Sequence, residues 1–221
     1  MWRKWSISIV LVLSLLGCNK EEPSGPMLLE AKDYFPLTEG SYWIHKVTFI
    51  NIDVAVNVYD TLQLEIRSEL MAFDSTLDQY PIERLSRLDS LSEWLPYDNL
   101  LVSWENNLFF WVEDNKRYIK LIDPVYDDKS WDGNSYNILD PSNYYYSDLN
   151  TTFEMSGTSF SHCIKVNKRT ISNAIQKSNA YEIFAKNIGS VYEYNADFYY
   201  QAGMLSTGNS RESILIKFSL E

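Results

Sequence analysis

The sequence predicts a mainly β protein: a single antiparallel β domain, built as a curved open sheet, a sandwich or an incomplete barrel, with one long irregular loop. Three observations carry that prediction. Short runs rich in aromatic and β-branched residues recur along the chain, separated by Asn, Asp, Gly and Pro steps. Their interrupted alternation suits a sheet with one apolar and one solvated face better than a parallel βαβ plan. The 221 residues are 45% hydrophobic and 15% aromatic, enough for one sizeable core, and no composition seam divides them.

The amino terminus comes before that domain and reads as a processing signal. Arg3 and Lys4 precede an apolar run from Ile7 to Leu16 that is too short for a permanent bilayer span. Leu15-Leu16-Gly17-Cys18 resembles a bacterial lipobox, in which the small residue admits the signal peptidase and the cysteine thiol is acylated. The expected organisation is a signal peptide over 1–17, a lipidated tether over 18–31 and the β domain over 32–221. Lipidation at Cys18, palmitate among its chains, would supply the durable anchoring that one chain cannot. Asn19-Lys20-Glu21-Glu22 resembles the lysine-plus-acidic export signal of surface lipoproteins in the Bacteroidota. The expected location is therefore the outer membrane, lipid-anchored and facing the cell exterior.

Strands follow in order. Glu39-Gly40 is a turn before Ser41 to Ile50, and Val54 to Leu64 continues past an expected bend near Tyr59-Asp60. Further strands are expected over Leu62 to Phe73, Tyr80 to Leu88, Leu100 to Trp104, Leu108 to Glu113 and Tyr118 to Ile122. Asn106-Asn107 and Asp114-Asn115 are polar steps suited to hairpins. Lys116 to Leu121 alternates polar with aromatic or aliphatic residues. From Val125 to Tyr146, repeated Asp, Asn, Gly and Pro steps imply an extended loop with only short elements. Strands resume over Tyr144 to Met155 and Ser159 to Ile171, joined through Ser156-Gly157-Thr158, and end with Tyr181 to Ala185, Ser190 to Tyr194, Phe198 to Ala202 and Ser213 to Phe218. Asn187-Ile188-Gly189 and Gly208-Asn209 supply positions that accept positive φ. The total is ten to twelve strands.

Charge excludes one class of partner. The 19 Lys and Arg against 30 Asp and Glu give a net charge of −11, and −13 without the first 17 residues. Such a chain is repelled by phosphate backbones, so no nucleic-acid partner is expected. With Cys18 acylated only Cys163 remains, which removes intramolecular disulfides. His162 and Cys163 are adjacent on a strand and face opposite sides, so Cys163 is read as a buried thiol and not a nucleophile.

Two histidines, His45 and His162, cannot form a three-histidine zinc site, and no nucleophile elbow, P-loop or dinucleotide fingerprint occurs. No cofactor, metal or catalytic residue is assigned. Asp128-Lys129-Ser130-Trp131-Asp132-Gly133-Asn134 offers oxygen ligands but lacks EF-hand spacing. The candidate ligand-binding group is Trp131, Asp132, Asn134 and Tyr136, because an aromatic among loop carboxylates and amides can stack on a sugar or peptide while its neighbours hold polar groups. The tyrosine runs 144–146 and 199–200 place rings on both faces of their strands.

Tyr34 to Trp43, Tyr118-Ile119-Lys120-Leu121 followed by Pro124, Trp131 to Asn137, and Phe184 to Tyr192 together resemble a family of outer-membrane lipoproteins of the Bacteroidota. Ser190 stands where Leu is commoner in that pattern. The resemblance implies a kind of protein and no reaction. The function expected is a non-enzymatic surface lipoprotein that binds or scaffolds, with a glycan or an envelope protein as partner. A periplasm-facing lipoprotein for envelope assembly or lipid handling is the alternative, and a hydrolase using paired carboxylates the third. A deep aliphatic cavity would favour lipid handling, and two converged carboxylates in a cleft would favour hydrolysis.

Overall fold

Twelve antiparallel strands form one sheet that curls into a nearly closed barrel. The computed structural model describes residues 29–155 and 157–220. The signal peptide, Cys18, the tether up to residue 28 and Ser156 lie outside them. The strands are β1 Tyr42–Asp53, β2 Val58–Leu70, β3 Tyr80–Arg87, β4 Leu95–Glu105, β5 Leu108–Glu113 and β6 Lys116–Ile122, then β7 Ser130–Asp132, β8 Asn143–Met155, β9 Thr158–Ser172, β10 Gln176–Ala185, β11 Gly189–Gln201 and β12 Met204–Ser219. Spatial order is β6-β5-β4-β3-β2-β1-β12-β11-β10-β9-β8-β7, so every consecutive pair is adjacent except β6 and β7, which end the sheet, and β12 docks on β1. Of the three expected architectures, this is the incomplete barrel.

Local chemistry sets the hairpins. Asn106 and Asn107 (φ 48° and 68°) and Asp114 and Asn115 (φ 50° and 57°) take the paired left-handed conformation that matches strand twist, which Asn and Asp tolerate. Two turns fall elsewhere than the sequence suggests. The chain reverses through a single 3-10 turn at Val54–Val56 and left-handed Asn57, not at Tyr59-Asp60, which both lie within β2. Gly208-Asn209 sits inside β12, and the reversal is at Ala202-Gly203. Gly208 answers a packing need: a Cβ there would lie 2.5 Å from the Asp197 carbonyl oxygen on β11.

One end of the barrel is plugged. The 3-10 turn Ala31–Tyr34 inserts Ala31, Tyr34 and the following Phe35 into the core. The Phe35 ring packs on Trp43 at 5.3 Å, Phe109 at 4.6 Å and Trp111 at 6.0 Å. Backbone bonds tie this segment down: Val125 N–H donates to Leu29 O at 2.9 Å and Asn187 N–H to Asp33 O at 2.6 Å, while Lys186 pairs with Asp33 at 2.9 Å. Trp43 is 3% exposed and donates its indole N–H to Ile188 O at 2.5 Å. The opposite end carries the hairpin tips of β1–β2, β3–β4, β5–β6, β9–β10 and β11–β12.

The long loop closes the seam between β6 and β7. Ile119 N–H donates to Gly133 O at 3.0 Å, the Trp131 indole N–H to Ile119 O at 3.0 Å, and the Asn137 amide to Arg117 O at 3.0 Å. Below them the fully buried Tyr146 hydroxyl accepts from Ile122 N–H at 2.7 Å and donates to Ile122 O at 2.9 Å. An unpaired strand edge exposes backbone donors and acceptors, and this loop supplies partners for those of β6. Cys163 is fully buried against Phe160 O, and burial pushes its thiol up.

Candidate functional site

Above the plug, the barrel interior changes from aromatic to charged. A cavity of about 360 Å³ is lined by positions on every strand but β7, among them His45, Arg84, Trp111, Glu113, Lys120, Lys168, Glu182, Glu193, Asn195 and Arg211. Period-two alternation puts Glu193 and Asn195 on one face of β11, and Arg211 and Ser213 on the matching face of β12. Lys168 arrives differently. Asn167 and Arg169 pair with consecutive residues of β10, leaving Lys168 as the extra residue of a bulge, a device that re-aims a side chain.

Two ion networks share the cavity. In the first, Lys168 Nζ donates to Glu182 Oε2 at 2.6 Å and to Glu193 Oε1 at 2.7 Å, Lys120 Nζ donates to Glu182 Oε2 at 2.8 Å, and Arg211 donates to Glu193 Oε2. In the second, the buried Arg84 is forked between Asp98 and Glu113, and Glu113 also accepts from the Trp111 indole at 3.3 Å. His45 Nε2 meets the Ser190 backbone carbonyl at 2.9 Å, a partner that any residue at position 190 would supply.

Burial works against every one of these charges, and the partners win. Desolvation would raise Glu182, but Lys120 and Lys168 hold it below the ordinary carboxylate value, and Glu193 is held well below by Lys168, Lys120 and Arg211. Against the same penalty, Glu182 and Glu193 raise Lys168 well above its ordinary value. Glu113 is likewise lowered by Arg84 in spite of burial. His45 is lowered, mainly by burial, so its ring is neutral at pH 7. The lumen therefore offers ionised acceptors and ionised donors at neutral pH, and none of these carboxyls holds the proton that a general acid must give.

The sequence-predicted loop residues are brought together at the seam, with Trp131 packed inward against the core. Trp131 packs on Tyr146 at 4.8 Å and Tyr144 at 6.0 Å and spends its N–H on Ile119. Asp132 Oδ1 accepts from Asn134 N–H at 2.9 Å and Ser142 N–H at 2.8 Å, and the Asn134 amide donates to Asp140 O at 2.6 Å. Tyr136, 54% exposed, is the one of the four with an open ring face; it stands edge-on to Phe110 at 5.0 Å, beside Arg117. Among the described residues, no group of three or more His, Cys, Asp or Glu is placed to hold a metal.

Sequence reading missed the lumen residues. A charge on a strand reads as solvent-facing, and Lys116, Tyr118 and Lys120 alternate as a surface strand would. Glu193-Asn195-Asp197 and Lys168-Glu182 gave a signal only in retrospect: polar residues occupy the face that burial elsewhere on the same strands assigns to the interior.

Comparison with known proteins adds a distant likeness. No family model matches the chain, and no curated protein sequence matches it. A solved structure from Bacteroides fragilis NCTC 9343, described as an exported protein with a YmcC-like fold, is similar at 14% identity and a TM-score of 0.43, over 84% of this chain and 98% of that one.

Proposed function

We propose that the chain is a non-enzymatic lipoprotein of the outer membrane, anchored through Cys18 and displayed on the cell exterior, where it works as a binding module with the open end of its barrel as the recognition surface. One observation carries the reading. The plugged end holds Leu29 through its bridge to Val125, eleven residues after Cys18, whereas the charged cavity lies toward the opposite end. Eleven residues reach at most about 36–40 Å when extended, so an acylated Cys18 keeps the plugged end within that distance of the lipid and leaves the mouth free to face away from it.

The cavity's chemistry supports binding over the two alternatives. A lipid carrier needs an aliphatic interior, and this one is lined by ion pairs. Glu182 and Glu193 do converge, but each is neutralised by lysine and held ionised, which suits recognition better than proton donation. Protease shaving of intact cells tests the reading, with the domain quantified beside an internal periplasmic control. Loss of the domain while the control survives is expected. Protection in intact cells, followed by digestion once the outer membrane is permeabilised, would assign the domain to the periplasmic face.

A further inference from the structure

We infer that the lumen binds a small zwitterion, a free amino acid or short peptide carrying both an ammonium and a carboxylate. This rests on the binding-module reading and names the ligand class of the same cavity.

The plug shows that this barrel can be filled with aromatic side chains, as Phe35 does between Trp43 and Phe109. One tier higher the chain leaves a cavity of about 360 Å³ and surrounds it with charge. Burying each charge costs several kcal/mol before its partner repays any of it, so apolar filling is the cheaper way to make a stable barrel. A polar cavity of this size, within the range of small-molecule sites, holds on the order of ten waters at about 30 Å³ each.

The pattern of charge selects the class. Lys120, Lys168 and Arg211 converge with Glu182 and Glu193 on one wall, and Arg84 and Glu113 belong to a second network whose charges act on Arg211. Both signs are present within one small volume. The lining charges already balance in pairs, so a purely anionic ligand adds net negative charge beside Glu182 and Glu193, and a purely cationic one adds net positive charge beside Lys120, Lys168 and Arg211. A zwitterion inserts one charge of each sign and leaves no net buried charge, through the charge-assisted bonds that are strongest in such a setting. A neutral sugar would need free aromatic faces for stacking. The rings in the lining are engaged: Trp111 has Lys120 Nζ over it at 5.2 Å, Tyr97 has the Arg84 guanidinium over it at 5.5 Å, and Tyr144 packs on Trp131 at 6.0 Å.

The test uses the full-length protein in detergent, titrated at neutral pH by calorimetry with alanyl-alanine, its N-acetylated form, its amide, the doubly capped form and maltose. The Trp111 indole N–H resonance, assigned by its loss in Trp111→Phe, reports occupancy of the lumen. Expected are saturable binding of alanyl-alanine with a shift at Trp111, and binding weaker by about tenfold or more for each capped form. The double variant Lys168→Gln/Glu182→Gln removes a pair without stranding a buried charge and is expected to weaken alanyl-alanine comparably. Should that variant not fold, the capped series on the native protein decides alone. Equal binding of capped and free dipeptides, or no binding of alanyl-alanine, overturns the zwitterion assignment. Binding of maltose with a Trp111 shift also overturns it, while leaving the lumen as a recognition site.

Discussion

Lys120 on β6 and Glu182 on β10 meet at 2.8 Å, although 62 residues separate them and β11, β12 and β1 to β5 lie between their strands in the sheet. Contact across that distance requires the sheet to curl until its interior faces oppose one another. Both side chains are largely buried, 13% and 7% exposed. Lys120→Met is therefore expected to destabilise by about 3–5 kcal/mol, because it leaves carboxylates short of a partner. Adding Glu182→Gln should recover a large part of the loss. Urea denaturation of the two single variants and the double variant measures the coupling, which additive losses would refute.

Acid stability follows from the same network. Glu182 and Glu193 have folded values below the ordinary 4.5, so their contribution is fully present above that value and is lost as pH falls through the lowered ones. The unfolding midpoint in urea should hold from neutrality to about pH 5 and then fall steeply, apart from a shallow decline from His45 below its ordinary 6.5. His45→Gln should remove the shallow decline and keep the steep one. A midpoint insensitive to pH between 5 and 3 would contradict the network's role.

At the seam, Trp131→Phe keeps the ring against Tyr146 and deletes the bond to Ile119 O, at an expected cost of about 1–3 kcal/mol. Hydrogen exchange at the Ile119 amide should accelerate, since that amide donates to Gly133 in the same loop. Gly133→Ala attacks the seam from its other side: a Cβ would lie 2.5 Å from the Tyr144 ring, and overpacking of this kind costs about 1–3 kcal/mol. Unchanged exchange at Ile119 in both variants would show that the loop is not what closes the barrel.

The plug makes a packing prediction. Phe35→Ala removes a 4% exposed ring from contact with Trp43, Phe109 and Trp111 and should destabilise by about 3–5 kcal/mol, read as a lowered urea midpoint. Exposed Phe73→Ala, a change of equal chemistry outside the plug, should cost much less.

The strands were legible in the sequence because local chemistry decides them. Tyr42 to Ile50 is aromatic and β-branched, and Asn106-Asn107 and Asp114-Asn115 can turn tightly. Gly208 misled because a glycine demanded by the approach of a neighbouring strand has the same letter as one demanded by a turn. Closure was illegible for a related reason. Nothing in Trp131 to Asn137 states that its indole and amides will bond the far edge of the sheet, yet that closure decides whether Lys120 and Glu193 face water or each other. The loop residues found by sequence do cluster, and their polar groups are spent within the loop and on the seam, whereas the charged cavity they help enclose depends on long-range pairing.

Display of the domain with its mouth outward is tested most directly by cysteine accessibility in intact cells, since Cys163 is buried and an acylated Cys18 does not react. Ser90→Cys places a thiol at the open end, between β3 and β4, and Thr76→Cys one at the plugged end, between β2 and β3. A membrane-impermeant maleimide should label Ser90→Cys rapidly and Thr76→Cys more slowly, with the two rates converging in detergent. Labelling of neither variant until the outer membrane is permeabilised would contradict surface display, and faster labelling of Thr76→Cys in intact cells would reverse the orientation.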